Sequence, residues 1–163
     1  MHSQAGAWER AVFRWLNIYY VTIMVCNKLL YVKMLPHSAK EHPKFEHVDL
    51  WESYVIGWGK VDSELYVDID AVLLPEHKSY EKPTPDLWAC YKKAKIIFKG
   101  VTSIVGYEDL KADKPAIDTS GEKYFGHIEE FEFTKLGDYV FTIELAGTLQ
   151  LQAKELSFEI QNV

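Results

Sequence analysis

The sequence lacks every short motif that commonly signals a catalytic or nucleotide-binding site. It contains no P-loop, no GxGxxG, no HExxH, no GxSxG and no CxxC pair. Its serines also lie outside any nucleophile-elbow context. No motif therefore predicts an enzyme, and the sequence predicts neither a cofactor nor a metal site.

Cysteine is scarce. Cys26 and Cys90 are the only two cysteines among 163 residues, and they lie far apart in regions of different character. Such a pair excludes the disulfide framework of a small secreted domain. The spacing favours a reducing compartment, and the sequence therefore predicts a cytoplasmic protein.

Basic residues are fewer than acidic ones: 18 Lys and Arg stand against 24 Asp and Glu, a net charge of −6. The imbalance is uneven, because residues 1–44 carry six basic and two acidic side chains, whereas residues 45–163 carry twelve and twenty-two. Phosphate contacts need a positive surface, so the acidic main part argues against nucleic-acid binding. It suits a basic protein partner, or solubility alone.

Long hydrophobic runs are also missing. The apolar stretch at residues 15–26 is shorter than the roughly 18–20 residues of a membrane span, and no A-x-A-like cleavage site follows it. Three interpretations of residues 1–35 stay open: a packed helix or strand pair, an interfacial membrane anchor at residues 12–35, or an extension upstream of the domain.

Residues 36–50 form a polar, proline-marked stretch that predicts a linker. His37, His42 and His47 stand there at intervals of five, which places successive rings on different faces of either a helix or a strand. The triplet therefore predicts a solvated connection rather than a metal site.

From residue 51 to residue 163 the dominant period is two. ELYVDIDAVLL, CYKKAKIIFKG, YVFTIEL and LSFEI each alternate one apolar and one polar face. The turn at Ala146–Gly147 predicts a hairpin between YVFTIEL and TLQLQA. The fold class predicted is mainly β: an antiparallel β-sandwich or open barrel of about six to eight strands.

Acidic side chains follow the solvent faces of two predicted strands. Asp68 and Asp70 stand two residues apart on the first, and the second carries Glu129, Glu130 and Glu132. A solvated face is the ordinary interpretation of such rows, and a basic partner or a cation is the functional one.

Aromatic residues supply a candidate anchor for a partner. Trp88 and Tyr91 follow a proline-rich loop, where exposed rings stack on a sugar or anchor a protein interface.

The densest polar cluster with a histidine lies between residues 118 and 133. Asp118, Glu122 and His127 predict a general base with an orienting carboxylate if their side chains converge on a pocket. Gly121 and Gly126 would let the backbone approach a ligand there.

The run KKAKIIFKGVTSIVG, preceded by ELYVDIDAV and followed by GHIEEFEF and the hairpin YVFTIELAGTLQLQA, resembles a strand pattern of small bacterial β-rich proteins. Several of those resemble the immunity proteins of bacterial toxin–antitoxin neighbourhoods. The resemblance covers residues 50–160 and leaves residues 1–45 outside. It implies a β-rich, non-enzymatic domain and transfers no functional residue.

Two functions follow as hypotheses. The first is a binding protein of immunity type that neutralises a basic partner, such as a toxin, through the acidic rows and the Trp88/Tyr91 anchor. The second is a ligand-binding or hydrolytic β-barrel that uses Asp118, Glu122 and His127. A membrane-held protein and a subunit that oligomerises through an open sheet edge are further alternatives.

Overall fold

The protein was analysed as a computed structural model. The structure describes the backbone of residues 19–25 and 28–34, and both backbone and side chains of residues 36–112, 115–118 and 121–161. The chain divides into two compact units, Met1–Pro36 and His37–Val163.

The first unit contains an antiparallel strand pair. Strand β1 (Tyr19–Val25) pairs with β2 (Lys28–Met34) in a register that runs from Tyr19 opposite Met34 to Val25 opposite Lys28. A strand pair, one of the structures predicted for residues 1–35, is thus present in the described ranges 19–25 and 28–34. Whether this segment is packed or held at a membrane lies outside the described residues.

In the part of the chain that the structure describes, we find no helix with the length and apolar character that crossing a membrane requires.

The second unit contains a four-stranded antiparallel sheet with the spatial order β13–β6–β5–β4. Its strands form because their residues alternate between the core and the solvent: Val67, Ile69 and Ala71 of β5 are buried, whereas Asp68 and Asp70 between them point outward. Its members are β4 (Val48–Val61), β5 (Glu64–Leu73), β6 (Cys90–Lys99) and β13 (Glu155–Ile160).

A five-stranded sheet with the order β3–β10–β11–β12–β7 faces the first one. The predicted hairpin is confirmed, since β11 and β12 pair from Asp138 opposite Gln152 to Ile143 opposite Gly147. The members of this sheet are β3 (His37–Ser38), β7 (Ser103–Val105), β10 (Ile128–Phe133), β11 (Asp138–Ile143) and β12 (Gly147–Gln152).

Aromatic rings from both sheets meet in a single core. The Phe98 ring of β6 lies 5.1 Å from the ring of Tyr139 and 5.9 Å from that of Phe131, which belong to β11 and β10. Two separate antiparallel sheets packed through one core make a β-sandwich, so the predicted fold class is confirmed.

Residues 36–50 are packed instead of forming a solvated linker. Two short 3₁₀ helices, Ala39–Glu41 and Pro43–Phe45, insert Ala39 and Phe45 into the core. The Phe45 ring lies 5.4 Å from Phe131. The prolines and polar residues that suggested a linker cap and start these helices, and two well-placed apolar side chains suffice to hold the segment on the sandwich. The compact unit accordingly begins at His37 rather than at residue 51.

Candidate functional site

A row of three side chains crosses the outer face of the four-stranded sheet. Tyr54 of β4 stands opposite Asp70 of β5, and Asp70 stands opposite Lys93 of β6. Directly opposed residues on adjacent strands lie close enough for their side chains to interact. The strand register thus places a ring, a carboxylate and an ammonium side by side.

Lys93 holds two carboxylates together. Its Nζ lies 2.9 Å from Asp70 Oδ2 and also forms an ion pair with Glu122. Partial burial opposes the charge on Lys93, but the hydrogen bonds and the two negative charges outweigh it and raise the pKa of this ammonium. Lys93 therefore stays charged and links the sheet to the segment that carries Glu122.

Two further segments border this row. One is the loop between β5 and β6, which is attached by the Glu81 N–H donating to the buried Cys90 Sγ at 3.3 Å and by the Lys92–Glu81 ion pair at 2.7 Å. The other is a small hairpin formed by β8 (Ala116–Ile117) and β9 (Lys123–Tyr124).

Between the sheet, the loop and the hairpin lies a cleft of about 370 Å³. We call it the aromatic cleft, because four rings and two aliphatic side chains make up most of its lining. The lining residues are Tyr54, Ile56, Asp70, Leu87, Trp88, Tyr91, Asp118, Glu122, Lys123 and Tyr124.

The four rings are presented in two orientations. Trp88 stands nearly perpendicular to Tyr91, at 87° with 5.8 Å between ring centroids, and Tyr124 lies at 72° and 5.3 Å from Tyr54. Tyr54 and Tyr91 are tilted by 36° at 6.1 Å. A ligand in this cleft meets the faces of some rings and the edges of others.

The cleft is electronegative around Tyr91. Burial, followed by the neighbouring Tyr54, Glu52 and Asp70, raises the pKa of Tyr91 to about 12, against a smaller opposing effect of a hydrogen bond with Trp88. The phenol is therefore neutral at physiological pH and serves as a ring and a hydrogen-bonding hydroxyl, not as a base.

A second hollow of about 700 Å³ adjoins the aromatic cleft and shares Asp70, Tyr91 and Glu122 with it. Its described lining carries three lysines and three carboxylates: Lys78, Lys92, Lys93, Asp70, Glu81 and Glu122. The Lys93 ion pairs with Asp70 and Glu122 therefore lie where the two hollows meet.

The predicted acidic row on β5 is neutralised. Asp68 stands opposite Lys95, with 3.3 Å between Oδ1 and Nζ, and Asp70 is paired with Lys93 in the same way. The lysines come from the polar face of β6. The residues opposite Asp68 and Asp70 are thus lysines of β6, which neutralise this row within the protein.

The second predicted acidic row lies elsewhere on the molecule. A bulge between Ile128 and Glu130 shifts the alternation of β10, so that Phe131 enters the core while Glu130 and Glu132 face outward from the five-stranded sheet. Asp68 and Asp70 face outward from the other sheet, so the two rows do not form one surface.

Within this second row the charges interact. Burial and the nearby Glu130 raise the pKa of Glu132. Glu130 in turn accepts a hydrogen bond from the Thr142 hydroxyl at 3.1 Å.

Of the predicted catalytic set, the structure brings two members together. Asp118 and Glu122 both line the aromatic cleft, and Asp118 accepts a hydrogen bond from the Glu122 N–H at 2.8 Å. His127 instead packs behind one wall, with its ring 4.2 Å from that of Tyr54. Its Nδ1 is buried without a hydrogen-bond partner among the described residues.

Gly121 and Gly126 serve the chain itself. Gly126 adopts a φ of +84° and its carbonyl accepts the Val55 N–H of β4 at 2.9 Å. Gly121, with a φ of +88°, donates its N–H to the Asp118 carbonyl at 3.1 Å in the turn of the small hairpin. Both glycines shape local connections rather than a ligand contact.

The three histidines at five-residue intervals make local contacts. His37 Nδ1 lies 3.0 Å from Glu41 Oε2, and His42 Nδ1 accepts the Lys44 N–H at 3.2 Å. Burial and Lys44 lower the pKa of His42. Within the described ranges no group of three or more His, Cys, Asp or Glu residues is arranged to hold a metal ion.

Sequence reasoning missed Tyr54, Tyr124 and Lys93 as members of the site. Each comes close to Trp88 and Tyr91 only through the pairing of strands or the course of a loop, and the sequence specifies neither. The only available signal was the aromatic content of the stretch WESYVIGWG, which contains Tyr54.

Comparisons with protein-family models, with curated proteins and with solved structures found no match for this chain.

Proposed function

We propose that this protein is a non-enzymatic binding domain that holds a basic protein partner at the aromatic cleft. The observation that carries the proposal is the cleft itself: four rings line an open hollow of about 370 Å³ on a folded sheet. Its members Trp88 and Tyr91 were expected as anchors from the sequence, whereas the acidic rows were not expected to lie apart.

Exposure of the rings supports a binding role. Trp88 is 66% exposed although tryptophan is among the residues most often buried, and Leu87 beside it is also exposed. Large apolar side chains clustered at a concave surface and rimmed by polar groups are typical of interaction sites. None of the four rings belongs to the hydrophobic core of the described residues. They pack against one another and, at Tyr54, against His127.

Charge supports a basic partner. Among the described residues that line the aromatic cleft, Asp70, Asp118 and Glu122 carry carboxylates and Lys123 carries an ammonium. Lys93 lies beside them and pairs with Asp70 and Glu122, so these described residues amount to three carboxylates and two ammonium groups. A positively charged surface would approach faster and bind in a salt-dependent way.

The finer parts of the proposal rest on the sequence. The partner is a basic protein such as a toxin, the protein is of immunity type, and it acts in the cytoplasm of a bacterium. The reduced, buried Cys90 is compatible with that compartment.

Site-specific photo-crosslinking tests the proposed location. p-Benzoylphenylalanine replaces Trp88 in one sample and Leu136 in the matched control, since Leu136 is equally an exposed apolar residue but lies in the β10–β11 turn. After irradiation in the source cells, the same basic protein should be cross-linked from position 88 and not from position 136. Purified wild-type domain should compete for that product.

Charge reversal at Glu129 and Glu130 tests whether the partner binds to the aromatic cleft or to the acidic row of β10. The cleft proposal expects the cross-link at position 88 to persist in that variant. If charge reversal abolished partner binding while Trp88→Ala retained it, the partner would bind to the five-stranded sheet and not to the aromatic cleft.

One observation favours a second candidate function, ligand binding or hydrolysis in the cleft. Asp118 and Glu122 line the same hollow, whereas His127, the third member of that predicted set, does not line it. A screen of neutral small molecules by heteronuclear NMR tests it: saturable shifts confined to cleft residues and absent in Asp118→Asn would support it. Turnover that survives both Asp118→Asn and His127→Gln would rule out the proposed catalytic set.

A further inference from the structure

We propose that the group received by the aromatic cleft is an arginine side chain of the partner. This inference rests on the proposed function and names the chemistry by which the cleft would recognise its partner. The features that support it are the rings and the carboxylates that line the same hollow.

The rings provide surfaces for a planar cation. Trp88 and Tyr124 stand steeply against Tyr91 and Tyr54, at 87° and 72°, so the planes of the rings that line the cleft have more than one orientation. A cation over an aromatic face is attracted by the ring quadrupole, most strongly at tryptophan. The guanidinium of arginine is flat and weakly hydrated, and it stacks on rings more readily than the compact, strongly hydrated ammonium of lysine.

The carboxylates provide partners for the edges of that cation. Glu122 forms its ion pair with Lys93 through Oε1, and a carboxylate accepts up to about four hydrogen bonds. The pair with Lys93 thus leaves Glu122 able to accept from a ligand. Arginine offers five N–H groups in a fixed fork, which suits several acceptors around one hollow.

The charge of the cleft selects against other ligands. Burial, followed by Tyr54 and the negative charges of Glu52 and Asp70, raises the pKa of Tyr91, in keeping with the carboxylates at this site. An anionic ligand would meet Asp70, Asp118 and Glu122. A neutral sugar could stack on the rings but would bring no positive charge to these carboxylates.

The local chemistry already shows a cation on a ring of this sheet face. Lys95 Nζ lies 4.3 Å from the centroid of the Tyr66 ring while it pairs with Asp68. Cation, ring and carboxylate are thus combined within the protein two rows away from the cleft. The aromatic cleft has rings and carboxylates in the same kind of arrangement, with space where the external cation would lie.

Three peptides that differ at one side chain test the inference. The probes are the blocked pentapeptide Gly-Gly-Arg-Gly-Gly and its citrulline and lysine versions, titrated into the full chain and followed by heteronuclear NMR. Citrulline has nearly the shape of arginine but no charge. A single anchored side chain predicts a Kd of about 1 mM, with arginine bound at least about tenfold more tightly than citrulline and more tightly than lysine.

Single-residue variants test whether the arginine peptide binds at the aromatic cleft. Trp88→Ala and Glu122→Gln should each weaken arginine binding several-fold, with shifts on the Trp88 indole N–H lost in the first. The matched controls are Leu136→Ala for an exposed apolar side chain and Glu129→Gln for an exposed carboxylate, and neither should change the titration. Because Trp88 and Glu122 are solvent-exposed, both variants should stay folded, which the NMR spectra report directly.

Each outcome decides the question. Equal affinity for arginine and citrulline, shifts that map to another surface, or no arginine-dependent shift at about 10 mM peptide would overturn the inference. Such a result leaves the proposed function testable on its own, because the cross-link from position 88 needs no arginine. Failure of the cross-link with success of the peptides would instead refute the partner proposal and retain the chemistry of the cleft.

Discussion

At the scale of single residues, Lys93 connects the sheet to the wall of the cleft. Replacing it in Lys93→Met keeps the aliphatic stem but leaves Asp70 and Glu122 as neighbouring negative charges. We expect a loss of about 1 kcal/mol of stability at pH 7, since the pairs are only partly buried and solvent screens them. Denaturant titration measures it. The control Lys92→Met, which loses one pair with the exposed Glu81, should lose less.

The pH dependence of Lys93 has a definite sign. Its folded-state pKa is raised, so its contribution is complete below the ordinary pKa of lysine and disappears as pH rises through the folded value. Wild type and Lys93→Met should therefore converge in stability in the alkaline range. A difference that stays constant from pH 7 to strongly alkaline solution would contradict the assignment.

Glu132, in contrast to Lys93, is a residue whose charged form lowers the stability of the folded state. Burial and Glu130 raise its pKa, so the protonated form is favoured in the folded state. Glu132→Gln should therefore stabilise the protein at pH 7, by about 0.5 kcal/mol at most because of solvent screening. The gain should vanish as pH falls below the usual pKa of glutamate, where Glu132 itself is protonated. Thermal unfolding at both pH values measures this, with Glu129→Gln as a control expected to change little.

The sequence predicted correctly which side chains of a strand are buried, because this depends on alternation along the chain. Alternation placed Asp68 and Asp70 on the polar face of β5 and Val67 and Ile69 in the core. Alternation could not predict the ion pairs with lysines of β6, because the residue that stands opposite Asp70 depends on strand register. The acidic row therefore looked unpaired in the sequence and is paired in the fold.

At the scale of elements, the turn between β4 and β5 contains a strained residue. Val61 pairs with Glu64 across a two-residue loop, and Asp62 in that loop has a φ of +52°. Two-residue hairpin loops often need a positive φ, which glycine adopts without steric cost. Asp62→Gly should raise stability by about 0.5 kcal/mol despite the extra entropy of the unfolded chain.

The neighbouring residue provides the control for this turn. Ser63 does not share the positive φ, so Ser63→Gly should destabilise the hairpin through entropy alone. Both variants are compared by denaturant unfolding. Destabilisation by Asp62→Gly equal to that of Ser63→Gly would show that strain at Asp62 is negligible.

Element prediction worked best for regular strands and worst where a bulge changes the period. β5, β6 and β11 were recognisable in the sequence from their alternation, although Val72 of β5 and Val140 of β11 are also buried. β4 has register shifts between Asp49 and Tyr54 and between Val55 and Gly57, so no single alternation runs through it. That irregularity hid Tyr54, the residue of β4 that lines the cleft.

At the scale of the whole molecule, the stability of the sandwich depends on rings that join its two sheets. Phe131 is 1% exposed and its ring lies 4.9 Å from Phe141 and 5.9 Å from Phe98 of the opposite sheet. Phe131→Ala should cost about 3–5 kcal/mol, a large part of the 5–15 kcal/mol typical of a domain. Trp88→Ala should change stability by less than about 0.5 kcal/mol. Equilibrium unfolding of both variants measures the contrast, and a similar loss in each would refute the separation of core and cleft.

The sandwich was predictable and the cleft was not, for related reasons. One-sided alternation in strands such as β5 and β6 requires a second layer to cover the apolar side, whatever the connections are. The cleft instead depends on where the loop before β6 and the hairpin of β8 and β9 settle on the outer face. Trp88 and Tyr91 were visible as candidates, but Tyr124 joins them only through tertiary structure.

The separation of the four cleft rings from the core has an evolutionary consequence. Tyr54, Trp88, Tyr91 and Tyr124 come from three distant segments, and none of them is part of the cluster that holds the sheets together. Under the proposed function, substitutions at these positions would change what the cleft recognises while the core that joins the two sheets keeps its residues. A lineage carrying this scaffold could then follow a changing partner by altering one wall of the cleft at a time.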